Sequence, residues 1–172
     1  MNINKAIFLD RDGTLNFDTN YVYKIEDLQI LDGVKEGLKI FKNLGYKLIV
    51  ITNQSGIGRG YYTMNDCKIF NEALENEIGI KFDKIYVCPH LEADNCDCRK
   101  PKIGNILEAQ KKFGLNLENS YFIGDKDADI DCGKKAGCKT ILIKNKQYKN
   151  TEKADYEVKN IFEFANILEN NI

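Results

Sequence analysis

Short apolar runs that stop on polar residues alternate along this chain with segments whose apolar residues recur at helical spacing, and few folds satisfy both patterns. Lys5 to Asp10 (KAIFLD) ends on an acid, and Lys47 to Asn53 (KLIVITN) is β-branched and ends on polar residues; both read as buried strands. Between them Val34, Leu38, Phe41 and Leu44 mark a helix, with Gly45 as its C-cap. A second helix opens at Thr63, where Asp66 completes a capping box and Cys67, Phe70, Leu74 and Ile78 form the apolar face. Phe82 to Cys88 is a third strand, and Ile103, Ile106, Leu107 and Ala109 begin another helix. Ser120 to Gly124 is a strand, Asp127 to Ala136 a helix, Thr140 to Ile143 a strand, and NIFEFANIL a closing helix. The alternation predicts an α/β, Rossmann-like and mainly parallel sheet with helices on both faces, one domain over residues 1–172, and a ligand outside the carboxyl ends of the strands. The polar residues at those ends are Asp10, Thr52 with Asn53, Cys88 and Asp125.

Composition narrows the class. The 172 residues are 43% apolar and 30% charged with a net charge of −1, and no polybasic block argues for nucleic acid. No apolar stretch approaches the roughly 18 residues of a membrane span. The expectation is a cytoplasmic, monomeric protein acting on a small molecule, with neither nucleic acid nor membrane as partner.

The first strand runs into "DRDGT", two carboxylates one residue apart followed by a glycine that permits a tight turn. Asp10 can attack phosphorus, and Asp12 can protonate a leaving oxygen and later deprotonate water. Two acids this close call for a cation, and Asp125 in "GDKDAD" could complete an oxygen set with Asp10 and Asp12 for Mg²⁺. Thr52 and Asn53 offer donors to a transferring phosphoryl group, the following "QSG" a turn with inward N–H groups, and Lys100 or Lys102 a balancing charge.

Taken in order, "DRDGT", "ITN", the lysine and "GDKDAD" resemble the four motifs of the haloacid dehalogenase superfamily of aspartate-nucleophile phosphatases. The resemblance implies Asp10 as nucleophile, Asp12 as general acid/base, Thr52 as phosphate ligand, Lys100 as charge-neutralising lysine and Asp125 as Mg²⁺ ligand, with Asp129 supporting.

"CPHLEADNCDCRKPK" concentrates three of six cysteines and the single histidine. Cys88, His90, Cys96 and Cys98 offer three thiolates and an imidazole, a closed tetrahedral set suited to structural Zn²⁺; a disulfide and unligated thiols are the alternatives. An ion there would knot a polar loop and position Arg99 and Lys100. The other cysteines, Cys67, Cys132 and Cys138, read as buried apolar residues.

With this loop the chain resembles a capless branch of the superfamily that contains the D-glycero-D-manno-heptose 1,7-bisphosphate phosphatases and the histidinol-phosphate phosphatases. The heptose pattern is matched by Asp10 to Asn16, Tyr21 with Val22, Thr52 to Gly60, Arg99 to Pro101 and Gly124 to Lys126. It implies a sugar bisphosphate that loses its 7-phosphate in nucleotide-activated heptose biosynthesis, bound by Asp18, Thr19, Asn20, Tyr21, Asn53, Gln54, Ser55, Arg99 and Lys126. The short cysteine loop looks more like the histidinol-phosphatase loop. Against that, Arg59, Arg99 and Lys126 are cations suited to an uncleaved second phosphate, whereas histidinol phosphate would call for carboxylates. A zinc-stabilised module that binds a phosphorylated partner is the non-enzyme alternative.

Overall fold

A computed structural model of the chain describes residues 4–144 and 148–171. Six strands form one sheet in the order β3-β2-β1-β4-β5-β6: β1 (Ala6–Leu9), β2 (Lys47–Asn53), β3 (Lys84–Cys88), β4 (Tyr121–Gly124), β5 (Lys139–Ile143) and β6 (Tyr156–Val158). Every pairing is parallel. The helices are α1 (Val34–Asn43), α2 (Ser55–Gly58), α3 (Met64–Ile78), α4 (Gly104–Phe113), α5 (Asp127–Ala136) and α6 (Ile161–Asn170).

The side-chain alternation of a strand divides the core between two layers. Along β1, Ile7 and Leu9 join a cluster with Val34, Leu38 and Phe41 of α1, Leu74 of α3 and Phe164 of α6. Ala6 and Phe8 point the other way, into a cluster with Ile106 and Ala109 of α4 and Cys132 of α5. Thr63 caps α3 as the sequence implies: its hydroxyl accepts from the Asp66 N–H (3.1 Å), and the Asp66 carboxylate accepts from the Thr63 N–H (2.8 Å). Leu107 lies on α4 as the sequence implies, 47% exposed on its outer face. The edge strand β6 and the single helical turn α2 are additions to the sequence reading; strands and helices that short carry too few residues to show a period.

The strand order places the site. From β1 the chain moves one way to β2 and β3, then returns to the opposite side of β1 for β4, β5 and β6, so the order reverses between β1 and β4. In an open parallel sheet the crevice outside the carboxyl ends at that reversal is where ligands bind. Asp10 follows β1 and Asp125 follows β4, and the Asp10 N–H donates to the Ile123 carbonyl (3.0 Å), which pins the two acidic loops side by side. Among the described residues no helix is long and apolar enough to cross a membrane.

Phe164 of α6 sits in an aromatic group within the first of these layers, with its ring 6.0 Å from Phe41, 5.2 Å from Tyr121 and 5.4 Å from Tyr156. Phe164→Ala is expected to cost roughly 3–5 kcal/mol, read as a lower midpoint in urea unfolding.

Candidate active site

A cavity of about 830 Å³ opens at the reversal point, lined among others by Asp12, Asp18, Gln54, Arg99, Lys100 and Lys126. Beside it lies a buried charge cluster. The Lys100 ammonium is 2.7 Å from Asp10 Oδ1, 2.7 Å from Asp129 Oδ1 and 2.7 Å from the Ile51 carbonyl. Burial alone would lower the Lys100 pKa, but the Asp10 and Asp129 carboxylates outweigh it and hold the ammonium above the usual lysine range. Asp10 is pushed up to about 6, first by burial and then by repulsion from Asp129, despite the attraction of Lys100. Negative charge is thus in excess: Asp10, Asp125 and Asp129, all buried, bring ligand oxygens within 4.8 Å of one another. An all-oxygen set of this kind fits a hard divalent cation.

Asp12, expected with Asp10 and Asp125 in that set, places no carboxylate oxygen in the cluster, where the third carboxylate is that of Asp129. The reason is a set of donors that engages both Asp12 oxygens. Arg11 Nε and Asn16 Nδ2 donate to Oδ1 (both 2.9 Å), while Arg11 Nη2 (3.0 Å) and Gln54 Nε2 (2.9 Å) donate to Oδ2. Asp129 in turn is fixed by the start of α5, since its Oδ2 accepts from the N–H groups of Asp125 (3.2 Å) and Lys126 (3.1 Å).

The end of β2 is equally ordered. Gln54 Nε2 also donates to Thr52 Oγ1 (2.7 Å), and the Tyr62 hydroxyl donates to Gln54 Oε1 (2.5 Å), which fixes the amide's orientation. The Asn53 amide, expected to face ligand, spends both ends on the Lys100 backbone: its Nδ2 donates to the Lys100 carbonyl (3.1 Å) and its Oδ1 accepts from the Lys100 N–H (3.0 Å). Asn53 therefore clamps the loop that carries Lys100, even though it also borders the cavity.

Cys88, His90, Cys96 and Cys98 converge beside this loop. The sulfur separations are 3.1 Å (Cys88 to Cys98), 3.5 Å (Cys96 to Cys98) and 3.6 Å (Cys88 to Cys96), with His90 Nδ1 3.3 Å from Cys98 Sγ and 3.6 Å from Cys88 Sγ. A disulfide needs about 2.05 Å, and all six cysteines are free. The separations all fall below the edges of a tetrahedron, about 3.8 Å for thiolates about 2.3 Å from a central ion, so the four groups are gathered tightly enough to share one ion. The cluster is tied to the site, since the Cys88 carbonyl accepts from the Gln54 N–H (2.7 Å) and Arg99 Nη1 donates to the His90 carbonyl (3.3 Å).

Of the expected sugar-site residues, Asp18, Asn20, Tyr21, Asn53, Gln54, Ser55, Arg99 and Lys126 border the cavity. Thr19 and Arg59 are exposed and lie outside its lining; Arg59 is the C-cap of the single turn α2. Lys126, expected as a cation for a second phosphate, is ion-paired with Asp18 at 3.0 Å. Burial would lower its pKa, but Asp10, Asp125 and Asp18 raise it. Tyr148 donates to Asp18 Oδ2 (2.8 Å) and Asn150 Nδ2 donates to the Asp125 carbonyl (3.2 Å). These two come from the segment before β6, where nothing in the sequence pattern marks them. Arg11 did have a signal, an arginine between two acids at a strand end.

The HAD-hydrolase-like family model matches residues 97–169. The D-glycero-beta-D-manno-heptose-1,7-bisphosphate 7-phosphatase of Helicobacter pylori (strain 26695) is 49% identical over 147 residues, covering 83% of this chain and 85% of its own. The chain belongs to the heptose-bisphosphate phosphatase family of haloacid dehalogenase-type hydrolases. The D-glycero-alpha-D-manno-heptose-1,7-bisphosphate 7-phosphatase of Campylobacter jejuni is 47% identical, with coverage of 84% and 85%. In fold, the chain matches the D,D-heptose 1,7-bisphosphate phosphatase of B. bronchiseptica, crystallised with magnesium and phosphate, at a TM-score of 0.87 and 24% identity over 98% of this chain and 99% of that one. The protein is a phosphatase of this family, with a Cys/His cluster able to hold a metal ion.

Gly13 sits at φ +83°, and a Cβ there would lie 2.1 Å from Asp125 Oδ2. Gly13→Ala is expected to push the two acidic loops apart and lower phosphatase turnover by about 10²-fold or more, measured as phosphate release from an aryl phosphate, with the far-UV circular dichroism spectrum retained.

Proposed function

We propose that the protein hydrolyses the 7-phosphate of D-glycero-D-manno-heptose 1,7-bisphosphate through an aspartyl phosphate on Asp10. What carries this reading is Asp10 itself: a buried carboxylate at the reversal point, 2.7 Å from the buried Lys100, in a chain 49% identical to an enzyme of that name. An Asp10 oxygen attacks phosphorus as Asp12 gives a proton to the leaving sugar oxygen; Asp12 then takes a proton from the water that releases phosphate. Because Thr52 Oγ1 already accepts from Gln54, its own hydrogen is left for an equatorial phosphoryl oxygen, and Lys100 balances the charge gathered there.

Asp10 and Asp125 would hold Mg²⁺, which when bound supplies a Lewis acid for the transferring group. Cys88, His90, Cys96 and Cys98 would hold Zn²⁺ in a structural role, since four protein donors close a tetrahedral site. A site of three reduced thiolates suits the cytoplasm, where we place the protein in nucleotide-activated heptose biosynthesis leading to lipopolysaccharide. With Lys126 engaged by Asp18, the uncleaved phosphate falls to Arg99, and the Asp18–Lys126 pair becomes a partner for sugar hydroxyls.

Metal analysis of protein purified without chelator should find one zinc per chain; none would refute the assignment. Cys96→Ser should lose that zinc and lower activity by about 10- to 100-fold, although Cys96 performs no chemistry.

Substrate choice is tested with both anomers of the heptose 1,7-bisphosphate, histidinol phosphate and an aryl monophosphate. The highest kcat/KM is expected for a heptose bisphosphate, and no turnover at all from Asp10→Asn. Arg99→Ala should lower the bisphosphate value about ten- to a hundredfold while sparing the monophosphate. A higher kcat/KM for histidinol phosphate would overturn the substrate assignment but leave the phosphatase chemistry intact.

A further inference from the structure

Arg11 is fully buried, and no step above uses it. Its guanidinium makes the two Asp12 contacts already described, gives a further hydrogen bond from Nη2 to the Val22 carbonyl (2.9 Å) and one from Nη1 to Asn71 Oδ1 (3.0 Å), and lies 4.5 Å from the Phe70 ring centroid. Val22 belongs to the loop after β1, and Phe70 and Asn71 to α3. The fork that grips Asp12 is therefore itself held by two other segments.

A carboxylate offers about four lone-pair sites. Arg11 fills two on Asp12, and Asn16 and Gln54 fill the others. The carboxylate is thus held in one orientation by fixed donors, and a proton it takes up must displace one of them.

We propose that Arg11 is the positioning residue for the second half-reaction, holding the Asp12 carboxylate where it takes a proton from the water that attacks the aspartyl phosphate. The proposal rests on the phosphatase reading of Asp10 and Asp12. In the step, a water O–H bond breaks and its proton passes to an Asp12 oxygen. The water oxygen bonds to phosphorus, and the bond from Asp10 to phosphorus breaks, returning the Asp10 carboxylate and free phosphate. While Asp12 takes up the proton and one of its four contacts weakens, the Asn71 and Val22 anchors keep the Arg11 fork in register.

The two half-reactions depend differently on Asp12. An ester with a good leaving group departs without needing a proton, so phosphoryl transfer to Asp10 proceeds without the acid, whereas hydrolysis of the aspartyl phosphate needs the base whatever the substrate was. Arg11→Lys keeps the charge but loses the two-pronged contact. The test is rapid-mixing release of p-nitrophenol from p-nitrophenyl phosphate by the full, Mg²⁺-loaded chain. Arg11→Lys should show a burst of about one p-nitrophenol per chain, at a rate within about threefold of wild-type phosphoryl transfer, followed by a steady state lowered about 10²-fold. Asn71→Leu, which removes one anchor of the guanidinium, should show the same burst with a steady state about tenfold down, and it carries the test if Arg11→Lys does not fold. A burst that falls in parallel with the steady state in either variant, or an unchanged steady state, overturns the proposal, because a merely structural role depresses both phases together. Absence of turnover by the wild-type chain overturns the phosphatase reading and this proposal with it; wild-type turnover with no burst in the variants overturns this proposal alone.

Discussion

The ion pairing of Lys100 with both Asp10 and Asp129 is the constraint on which the rest of the site depends. Removing an ammonium and two carboxylates from water costs several kcal/mol per ion, and the cost is offset only when each group meets close, fixed partners. Here the ammonium has three acceptors at 2.7 Å. The parallel sheet supplies two of the parties, since β1 delivers Asp10 and β2 the Ile51 carbonyl, while Asp129 comes from α5 next to the strand that ends before Asp125. Lys100 comes from a polar loop with no strand or helix of its own at that point.

That loop is held from two directions. The Asn53 amide pairs with the Lys100 backbone from the end of β2, and the Cys/His cluster gathers the chain just before Arg99. The buried Asp10 carboxylate has its balancing cation at 2.7 Å, the cation sits on irregular chain, and irregular chain without apolar residues to bury needs some other link to order it. The Cys/His cluster adjoining the lysine is able to hold a metal ion that would supply that link.

A similar division governs Asp12. The orientation of its carboxylate is set by the residue that follows β2, by α3 and by its own loop, through Gln54, Asn71 by way of Arg11, and Asn16. Tyr62 extends the set by fixing the Gln54 amide, so one buried hydrogen-bonded network reaches from Asn71 of α3 to Thr52.

The sequence by itself determined the alternation of strands and helices, the polar residues at the strand ends, and the donor types of two clusters able to hold a metal ion. Each depends on local order: a period of two or 3.6, an acid directly after an apolar run, or four soft ligands within a short span. What only the tertiary structure decided is which partner each polar group meets. That Asn53 serves the Lys100 backbone, that Lys126 is taken by Asp18, that the Asp129 carboxylate stands beside those of Asp10 and Asp125, and that Tyr148 reaches the site from beyond β5 all depend on contacts between segments far apart in the chain. A side chain's hydrogen-bond capacity is fixed by its chemistry, but the partner that satisfies it is fixed by the strand order and the packing of the loops above it, and neither is written at the residue itself.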